Sequence, residues 1–243
     1  MKVRSFDRPR LWAVTVGAVL CGGFNGVALA EWTGKGELGA SFASGNSENE
    51  SVNAALGIGV TLDRWTHKLG FAGNYGSDGR VTTAQRWEVR GQSNYDITGR
   101  AYWFGAGRYE DDRFSAYDFQ STVATGLGYK LIDSERTKLW VQGGPGYRYA
   151  EFNETGESED GVIFRGDLGF DHQLTGTTKI VERFLVETGS ENTYLQNDLG
   201  LEVTIEGALG LRVGYQVRHN TETPPGIDRT DTLTTVSLIY ETK

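Results

Sequence analysis

Charged residues of both signs recur at every second position in several stretches of the sequence. Arg86, Glu88 and Arg90 follow this spacing, and so do Arg108 and Glu110. Residues two apart in an extended strand point to the same side of a sheet. We expect one such polar face to carry these charges: Arg86, Glu88, Arg90, Arg108, Glu110, Arg148, Arg165, Asp167, Asp171, Asp198, Glu202, Arg212 and Arg218. If this face is enclosed, opposite charges must pair or hold water, because an unpaired buried charge is costly.

The other residues that could do chemistry do not form a known catalytic pattern. His67, His172 and His219 are far apart in the chain, and none has a serine or acid at a spacing that suggests a triad. Glycine-rich fragments such as 126–128 are not followed by the Gly-Lys-Ser/Thr of a phosphate loop. We therefore expect no enzyme, no cofactor and no metal site. A membrane-embedded hydrolase stays as an alternative, since triads assemble in space.

The first 30 residues have the pattern of a secretory signal peptide. Four basic residues precede the short apolar segment 11–20, and the small-x-small sequence of residues 28–30 predicts cleavage before Glu31. This segment holds four basic residues and one acid, so its removal changes the formal net charge from −8 to −11. It also removes Cys21, the single cysteine, which leaves no thiol for a disulfide or a metal. An acidic mature chain argues against nucleic-acid binding.

From residue 35 onward the dominant period of the sequence is two. Segment 51–62 shows it well, because apolar residues at even positions alternate with small or polar residues at odd positions. This alternation predicts strands with one apolar face. We expect twelve strands, at 34–43, 51–62, 67–76, 83–96, 101–110, 117–131, 138–150, 161–174, 178–187, 194–205, 209–220 and 231–242. The segment 178–187 is ambiguous, because two sets of apolar residues compete for one face.

Strand length and aromatic placement favour a membrane barrel over a soluble sandwich. The strands have ten or more residues, as a tilted membrane strand needs, and short turns alternate with mostly longer connections. Aromatic residues of the apolar phase lie at strand ends, as in interfacial belts: Tyr75, Trp87, Tyr109, Tyr117, Phe119, Tyr147, Tyr149 and Phe164 at one end, and Tyr95, Trp103, Tyr129, Phe170 and Tyr240 at the other. We predict an all-β transmembrane antiparallel up-and-down barrel of about 12 strands over residues 31–243. A soluble periplasmic ligand-binding sandwich is the alternative.

The polar face would then line the interior of the barrel. It could form a narrow, charge-selective channel, or its side chains could fill the lumen through salt bridges. Twelve strands enclose little more space than long side chains occupy, which favours the filled lumen. Pro145 interrupts a predicted strand, and because it removes a ladder hydrogen bond we expect a bulge around 143–146.

The stretch from Tyr109 to Asp118 is the most distinctive in the sequence. Its residues Tyr109, Glu110, Asp112, Arg113, Phe114, Tyr117 and Asp118 read as a turn pinned by acid–arginine pairs. With residues 36–39, 44–46, 86–87 and 126–129, it resembles the salt-induced, YdiY-like outer-membrane proteins, a domain of unknown function. The resemblance covers approximately residues 33–242. It implies an outer-membrane barrel and no assigned activity, so it assigns no functional residue.

These features predict a location and a set of partners. We expect the mature chain in the bacterial outer membrane, in contact with membrane lipid and lipopolysaccharide and inserted by the barrel-assembly machinery. Barrel proteins commonly end in an aromatic residue that this machinery recognises, whereas here Tyr240 is followed by three further residues. The sequence leaves the oligomeric state and any solute open.

Overall fold

The computed structural model describes residues 30–44, 49–78, 81–153 and 156–242. The predicted signal peptide lies outside the described residues, apart from Ala30. The described chain forms twelve strands: β1 Glu31–Ser44, β2 Asn49–Leu62, β3 Trp65–Asp78, β4 Val81–Asp96, β5 Ala101–Asp112, β6 Tyr117–Asp133, β7 Thr137–Phe152, β8 Ser158–Gln173, β9 Thr178–Thr188, β10 Thr193–Glu206, β11 Leu209–Asn220 and β12 Thr230–Thr242. Among the described residues, no helix is long and apolar enough to cross a membrane.

Each strand pairs with its sequence neighbours, and the first strand pairs with the last. β1 runs antiparallel to β12, from Gly34 opposite Thr242 to Ser44 opposite Thr232, and this pairing closes the sheet into a barrel. Closure gives every strand two hydrogen-bonded neighbours, so the sheet has no free edge. The predicted twelve-stranded antiparallel barrel is confirmed, and the sandwich alternative is wrong.

The two faces of the sheet have opposite chemistry. Outside, aliphatic side chains are open, with Leu56 64% and Val213 52% exposed. Inside, charged side chains are buried, with Glu88 1% and Glu202 2% exposed. A water-soluble fold buries its apolar groups, so this inverted arrangement is typical of a barrel that presents its outer face to lipid. One aromatic departs from the predicted belts, because Tyr117 is buried while most belt residues face outward.

The connections distinguish the two ends of the barrel. Turns 63–64, 97–100, 134–136, 174–177 and 207–208 lie at one end, here called the turn end. Two of these turns place Gly99 and Gly207 at positive φ (78° and 56°), where residues with a Cβ are strained. The opposite end, here called the loop end, carries the segments 113–116, 189–192 and 221–229.

The bulge predicted around Pro145 is wrong. β7 pairs with β8 through this region without a register shift. On the other side, paired positions stop after Ala124 opposite Gly146 and resume at Leu127 opposite Gly143, in the same register. The missing proline N–H therefore interrupts the ladder between β6 and β7 without inserting an extra residue.

Glycines explain why the strands keep their register here. A Cβ on Gly144 would lie 2.1 Å from the carbonyl oxygen of Thr125, and a Cβ on Gly126 would lie 2.2 Å from that of Gly143. The two backbones thus approach more closely than any residue with a side chain would permit. This close approach takes the place of the expected bulge.

A single methyl group at this contact should destabilise the barrel. We expect Gly144→Ala to lower the free energy of unfolding by about 2 kcal/mol, because backbone atoms must move to admit the Cβ. Urea unfolding of the barrel in lipid vesicles, followed by tryptophan fluorescence, measures this. Gly91→Ala is the matched control, since a Cβ on Gly91 meets nothing within 4 Å. Equal stability of the two variants would contradict the tight β6–β7 contact.

Candidate functional site: the charged lumen

Glu187 on β9 lies at the centre of the ion pairs inside the barrel. Its carboxylate accepts hydrogen bonds from Arg108 of β5 at 2.8 Å and from Arg165 of β8 at 3.2 Å. Arg165 also pairs with Asp167, its neighbour two positions along β8, at 2.8 Å. Glu187 is 0% exposed, so both arginines are needed to offset its burial.

Glu110 on β5 extends these contacts across the lumen. It accepts from Arg108 at 2.6 Å, from Arg86 of β4 at 3.0 Å and from Arg218 of β11 at 3.1 Å. Arg218 also reaches Asp112, at 3.2 Å. Five strands lie between β5 and β11 in either direction around the ring, so the Arg218–Glu110 contact spans the full width of the lumen.

The contacts of Glu88 complete this set. Arg86 donates to one carboxylate oxygen of Glu88 at 3.0 Å, and the Nε of Arg90 donates to the other at 2.6 Å. We call the connected residues the central network: Arg86, Glu88, Arg90, Arg108, Glu110, Asp112, Arg165, Asp167, Glu187 and Arg218. Since most of these side chains are nearly inaccessible, the central network fills the barrel at its level.

Separate ion pairs lie above and below the central network. Toward the turn end, Glu202 of β10 pairs with Lys35 of β1 and, at 3.1 Å, with Lys179 of β9. Arg212 of β11 lies 3.5 Å from Glu202 and 2.7 Å from Asp198. Toward the loop end, Arg148 of β7 donates to Glu159 of β8 at 2.9 Å. All the charged residues that the sequence placed on one face thus line the interior, in several groups.

Several charged residues of the lumen were not identified from the sequence. Three of them, Lys179, Arg183 and Glu187, lie on β9, where two competing sets of apolar residues made the polar face ambiguous. The structure turns Val181 toward the interior, where it is 8% exposed. Lys35 and Glu37 of β1 and Lys68 of β3 were missed as well. The alternating apolar and polar residues of β8 and β10, the neighbours of β9, could have indicated which side of β9 faces the lumen.

β9 also carries an acid on the outer face of the barrel. The carboxylate of Glu182 accepts a hydrogen bond from the side-chain amide of Asn197 on β10. In the register of the sheet, Glu182 lies opposite Phe170 of β8 and Leu199 of β10. A polar pair surrounded by apolar residues on a lipid-facing surface is costly, and the hydrogen bond from Asn197 offsets part of that cost.

The distinctive stretch from Tyr109 to Asp118 serves both the lumen and the loop end. Glu110 and Asp112 belong to the central network, whereas the ring of Tyr109 lies outside, between Trp87 at 5.0 Å and Phe119 at 5.8 Å. Asp118 at the start of β6 is exposed. The stretch therefore does not form one binding site.

The turn within this stretch is held by its own backbone and by Asn153. The amide of Phe114 donates to the side chain of Asp112 at 3.1 Å, and the amide of Arg113 donates to the carbonyl of Gln85 at 3.1 Å. The side chain of Asn153 donates to the carbonyl of Arg113 at 2.7 Å. An acid of this stretch does pair with an arginine, but the partner of Asp112 is Arg218 of β11 at 3.2 Å, and the turn itself is held by hydrogen bonds to its backbone.

The loop end is covered by the segment 221–229. Its residue Ile227 packs against a buried apolar cluster that includes Ala116, Tyr117 and Ala150. These belong to β6, β7 and the turn before β6, and β11 lies five positions from β6 around the ring. The segment thus reaches across most of the mouth, and we call it the loop cap.

Asn192 attaches the loop cap to the β9–β10 connection. It is 2% exposed, and its side-chain oxygen accepts from the hydroxyl of Thr221 at 3.2 Å and from the amide of Glu222 at 3.1 Å. Its side-chain amide donates to Asn220 at 2.7 Å. A buried amide with all its groups bonded holds the loop cap in one position.

The histidines lie in the outward phase of the sheet, away from the charged lumen. Each contacts a hydroxyl on the neighbouring strand at 2.8 Å: His67 with Ser93, His172 with Thr137, and His219 with Thr230. The partner is threonine in two of the three pairs, and we interpret these contacts as ordinary cross-strand side-chain pairs. Among the described residues, no group of three or more His, Cys, Asp or Glu side chains could hold a metal ion.

Removing the charge of Glu187 should strongly destabilise the barrel. We expect Glu187→Gln to lower the free energy of unfolding by about 3 kcal/mol, because the buried Arg108 and Arg165 each lose one of their two carboxylate partners and keep only Glu110 and Asp167. Urea titration in vesicles measures the change. Glu222→Gln is the control, since its 3.7 Å pair with Arg229 is exposed, and exposed pairs contribute about 0–1 kcal/mol. Equal effects would show that the lumen is well hydrated around Glu187.

Comparisons with known proteins agree with the fold. The model of the family "Protein of unknown function, DUF481" matches residues 36–241. The uncharacterized protein YdiY of Escherichia coli K12 is 28% identical over 214 residues, which cover 85% of this chain and 82% of YdiY.

Two solved porins match at low identity, and one of them, NanC, shares the fold. NanC superimposes with a TM-score of 0.56 at 8% identity, covering 84% of this chain and 98% of NanC. KdgM gives 0.47 at 9% identity, covering 85% of this chain and 99% of KdgM. The resemblance to a YdiY-like domain of unknown function is confirmed, and the chain belongs to the DUF481 family.

Proposed function

We propose that this protein is a bacterial outer-membrane barrel of the cell envelope whose lumen is closed at rest. The apolar outer face, the predicted signal peptide and the porin-like fold of NanC support this location. In this setting the outer face contacts membrane lipid and, at the loop end, lipopolysaccharide. The barrel-assembly machinery inserts the chain, with both termini on the periplasmic side as the even number of strands requires.

The contact of Arg218 with Glu110 carries the proposal of a closed lumen. It joins opposite walls of the barrel at 3.1 Å, and Glu110 and Glu187 beside it are 3% and 0% exposed. A side chain that lines a water-filled pore is exposed to that water. Burial of these carboxylates therefore means that side chains occupy the cross-section at this level.

The loop cap provides a second closure in series with the central network. Ile227 and the hydrogen bonds of Asn192 hold it over the loop end. A solute from the outer side would have to displace both closures. This arrangement favours a structural or stress-related envelope role over free diffusion.

A narrow channel that opens on demand is the second candidate function. It is favoured by a cavity of about 400 Å³ in the half of the lumen toward the turn end. Half of a conduit is therefore already present, and among the described residues the central network and the loop cap would have to rearrange for the lumen to open. A hydrolase has less support, because the outward histidines contact hydroxyls without an acid in the same group.

Conductance measurements separate a closed barrel from an open pore. In a planar lipid bilayer, the folded protein should give no steady ion current above the lipid baseline, because the central network and the loop cap block the lumen in series. An open general porin reconstituted in the same way is the positive control. A large steady current would contradict closure, whereas brief voltage-dependent steps would favour the channel that opens on demand.

Processing and location are tested on protein from cells. Intact-mass measurement of the protein from the outer-membrane fraction should give a chain that starts at Glu31, because the peptidase cleaves after small residues at the −3 and −1 positions. Extraction should require detergent, since the outer face is apolar. Release by osmotic shock, or a mass that includes residues 1–30, would contradict the proposal.

A further inference from the structure

The cavity toward the turn end exists because one wall of the lumen carries very small residues. Gly57 of β2 and Gly70 of β3 lie opposite each other on the inner face and line the cavity. A Cβ on Gly57 would come no closer than 3.9 Å to another atom, so this wall faces open space. A volume of about 400 Å³ falls within the range of small-molecule pockets.

The charges exposed to this cavity are predominantly positive. Among the described residues, six basic and two acidic side chains line it. The guanidinium groups of Arg90 and Arg183 are accessible, with side chains 55% and 42% exposed, whereas Glu88, the partner of Arg90, is 1% exposed. The carboxylate of Glu88 thus lies behind Arg90, whereas Asp171, the partner of Arg183, and Glu241 are 32% and 44% exposed. The excess of basic side chains still makes the lining positive.

Lys68 adds a charge that no carboxylate neutralises directly. It points inward from β3. In the sheet register Lys68 lies opposite Gln92 of β4, and Arg90 is the next inward residue along that strand. Within the part of the chain that the structure describes, Lys68 has no salt bridge. An accessible ammonium beside an accessible guanidinium is an arrangement that attracts an anion.

An indole ring forms an apolar part of the same cavity. Trp140 of β7 lines it and lies over Gly169 of β8, where a Cβ would be 2.3 Å from the ring. Because Gly169 has no side chain, the indole can lie directly against the wall. Leu185 of β9 also contributes to the lining. The cavity combines exposed cations with an aromatic surface, so it suits a ligand that has both an anionic and an apolar part.

We propose that the turn-end cavity binds a small organic anion. Its acidic group would contact Lys68 and Arg90, and its ring or aliphatic part would lie against Trp140. This site goes beyond the proposed function, because binding from the turn end needs no passage through the central network. The proposal of anion binding can therefore be disproved while the lumen is closed, and it can be confirmed even if the lumen proves to be open.

The binding test uses three probes with the same ring and different charges: benzoate, benzyl alcohol and benzyltrimethylammonium. Calorimetric titration of the full barrel in an uncharged detergent should show saturable binding of benzoate and none of the other two. Added salt should weaken benzoate binding, because ions screen the attraction. Equal binding of all three probes, or no binding of benzoate, would overturn the proposal.

Two substitutions locate the site within the barrel. Lys68→Gln should weaken benzoate binding about threefold or more, as expected for loss of one partly exposed ion pair. Gly57→Phe should abolish binding by filling the cavity. Gly73→Phe is the matched control, because Gly73 is not among the residues that line the cavity, lies in the outward phase opposite Trp87, and a Cβ there would meet nothing closer than 3.7 Å.

The outcomes of these variants are decisive in either direction. Unchanged benzoate affinity in Lys68→Gln would overturn the assignment of the anion contact, even if Gly57→Phe does not fold. Unchanged affinity in a folded Gly57→Phe would place binding outside the cavity and overturn the proposal. Loss of binding in Gly73→Phe as well would have the same consequence.

Discussion

The pairing of β1 with β12 is the interaction on which the interior depends. It leaves no strand with unpaired backbone groups at an edge, as a bilayer requires. It also encloses a space into which every second side chain points, so inward charges must find partners within that space. Closure fixes these partners by position in the ring, since β5 and β11 lie opposite each other and Arg218 can reach Glu110. The central network is therefore a consequence of the closed sheet as well as of the charges along each strand.

Much of this architecture could be predicted, because alternation is a local signal. The segment 51–62 shows its two faces without reference to any neighbour, and the strand found there is Asn49–Leu62. β9 was predicted as a strand, yet its orientation depends on β8 and β10, so Glu187 was missed. The expected bulge at Pro145 failed for a related reason: the close approach of Gly126 and Gly144 is a property of two strands together. Contacts that depend on how two strands pair could not be predicted from the sequence of one strand at a time.

The lumen is asymmetric, and side-chain size explains the asymmetry. Toward the loop end, arginines and carboxylates on β4, β5, β8, β9 and β11 extend to the axis and meet. Toward the turn end, Gly57 leaves part of one wall bare and the stem of Arg90 lies over Gly70, while Trp140 and Arg183 on other strands line the cavity without filling it. The same twelve-stranded ring thus contains a filled section and a hollow section. In the part of the chain that the structure describes, the filled section and the loop cap separate the cavity from the loop end.

The chemistry of the filled section bears on whether it can open. Burying charges costs more desolvation than filling the same space with apolar side chains, so an ion network is weak evidence for a stabilising role. The barrel does use apolar filling elsewhere, where Tyr102 and Phe104 lie buried on the inner face of β5. An apolar plug resists water, whereas arginines and carboxylates can exchange partners and become hydrated without exposing apolar groups. Every residue of the central network except Arg218 also has a partner on its own strand or on a neighbouring strand, so these pairs can persist when contacts across the lumen separate. Arg218 is the exception, because Glu110 and Asp112 both lie on the opposite wall. The central network therefore closes the barrel with groups that are compatible with an open, wet state.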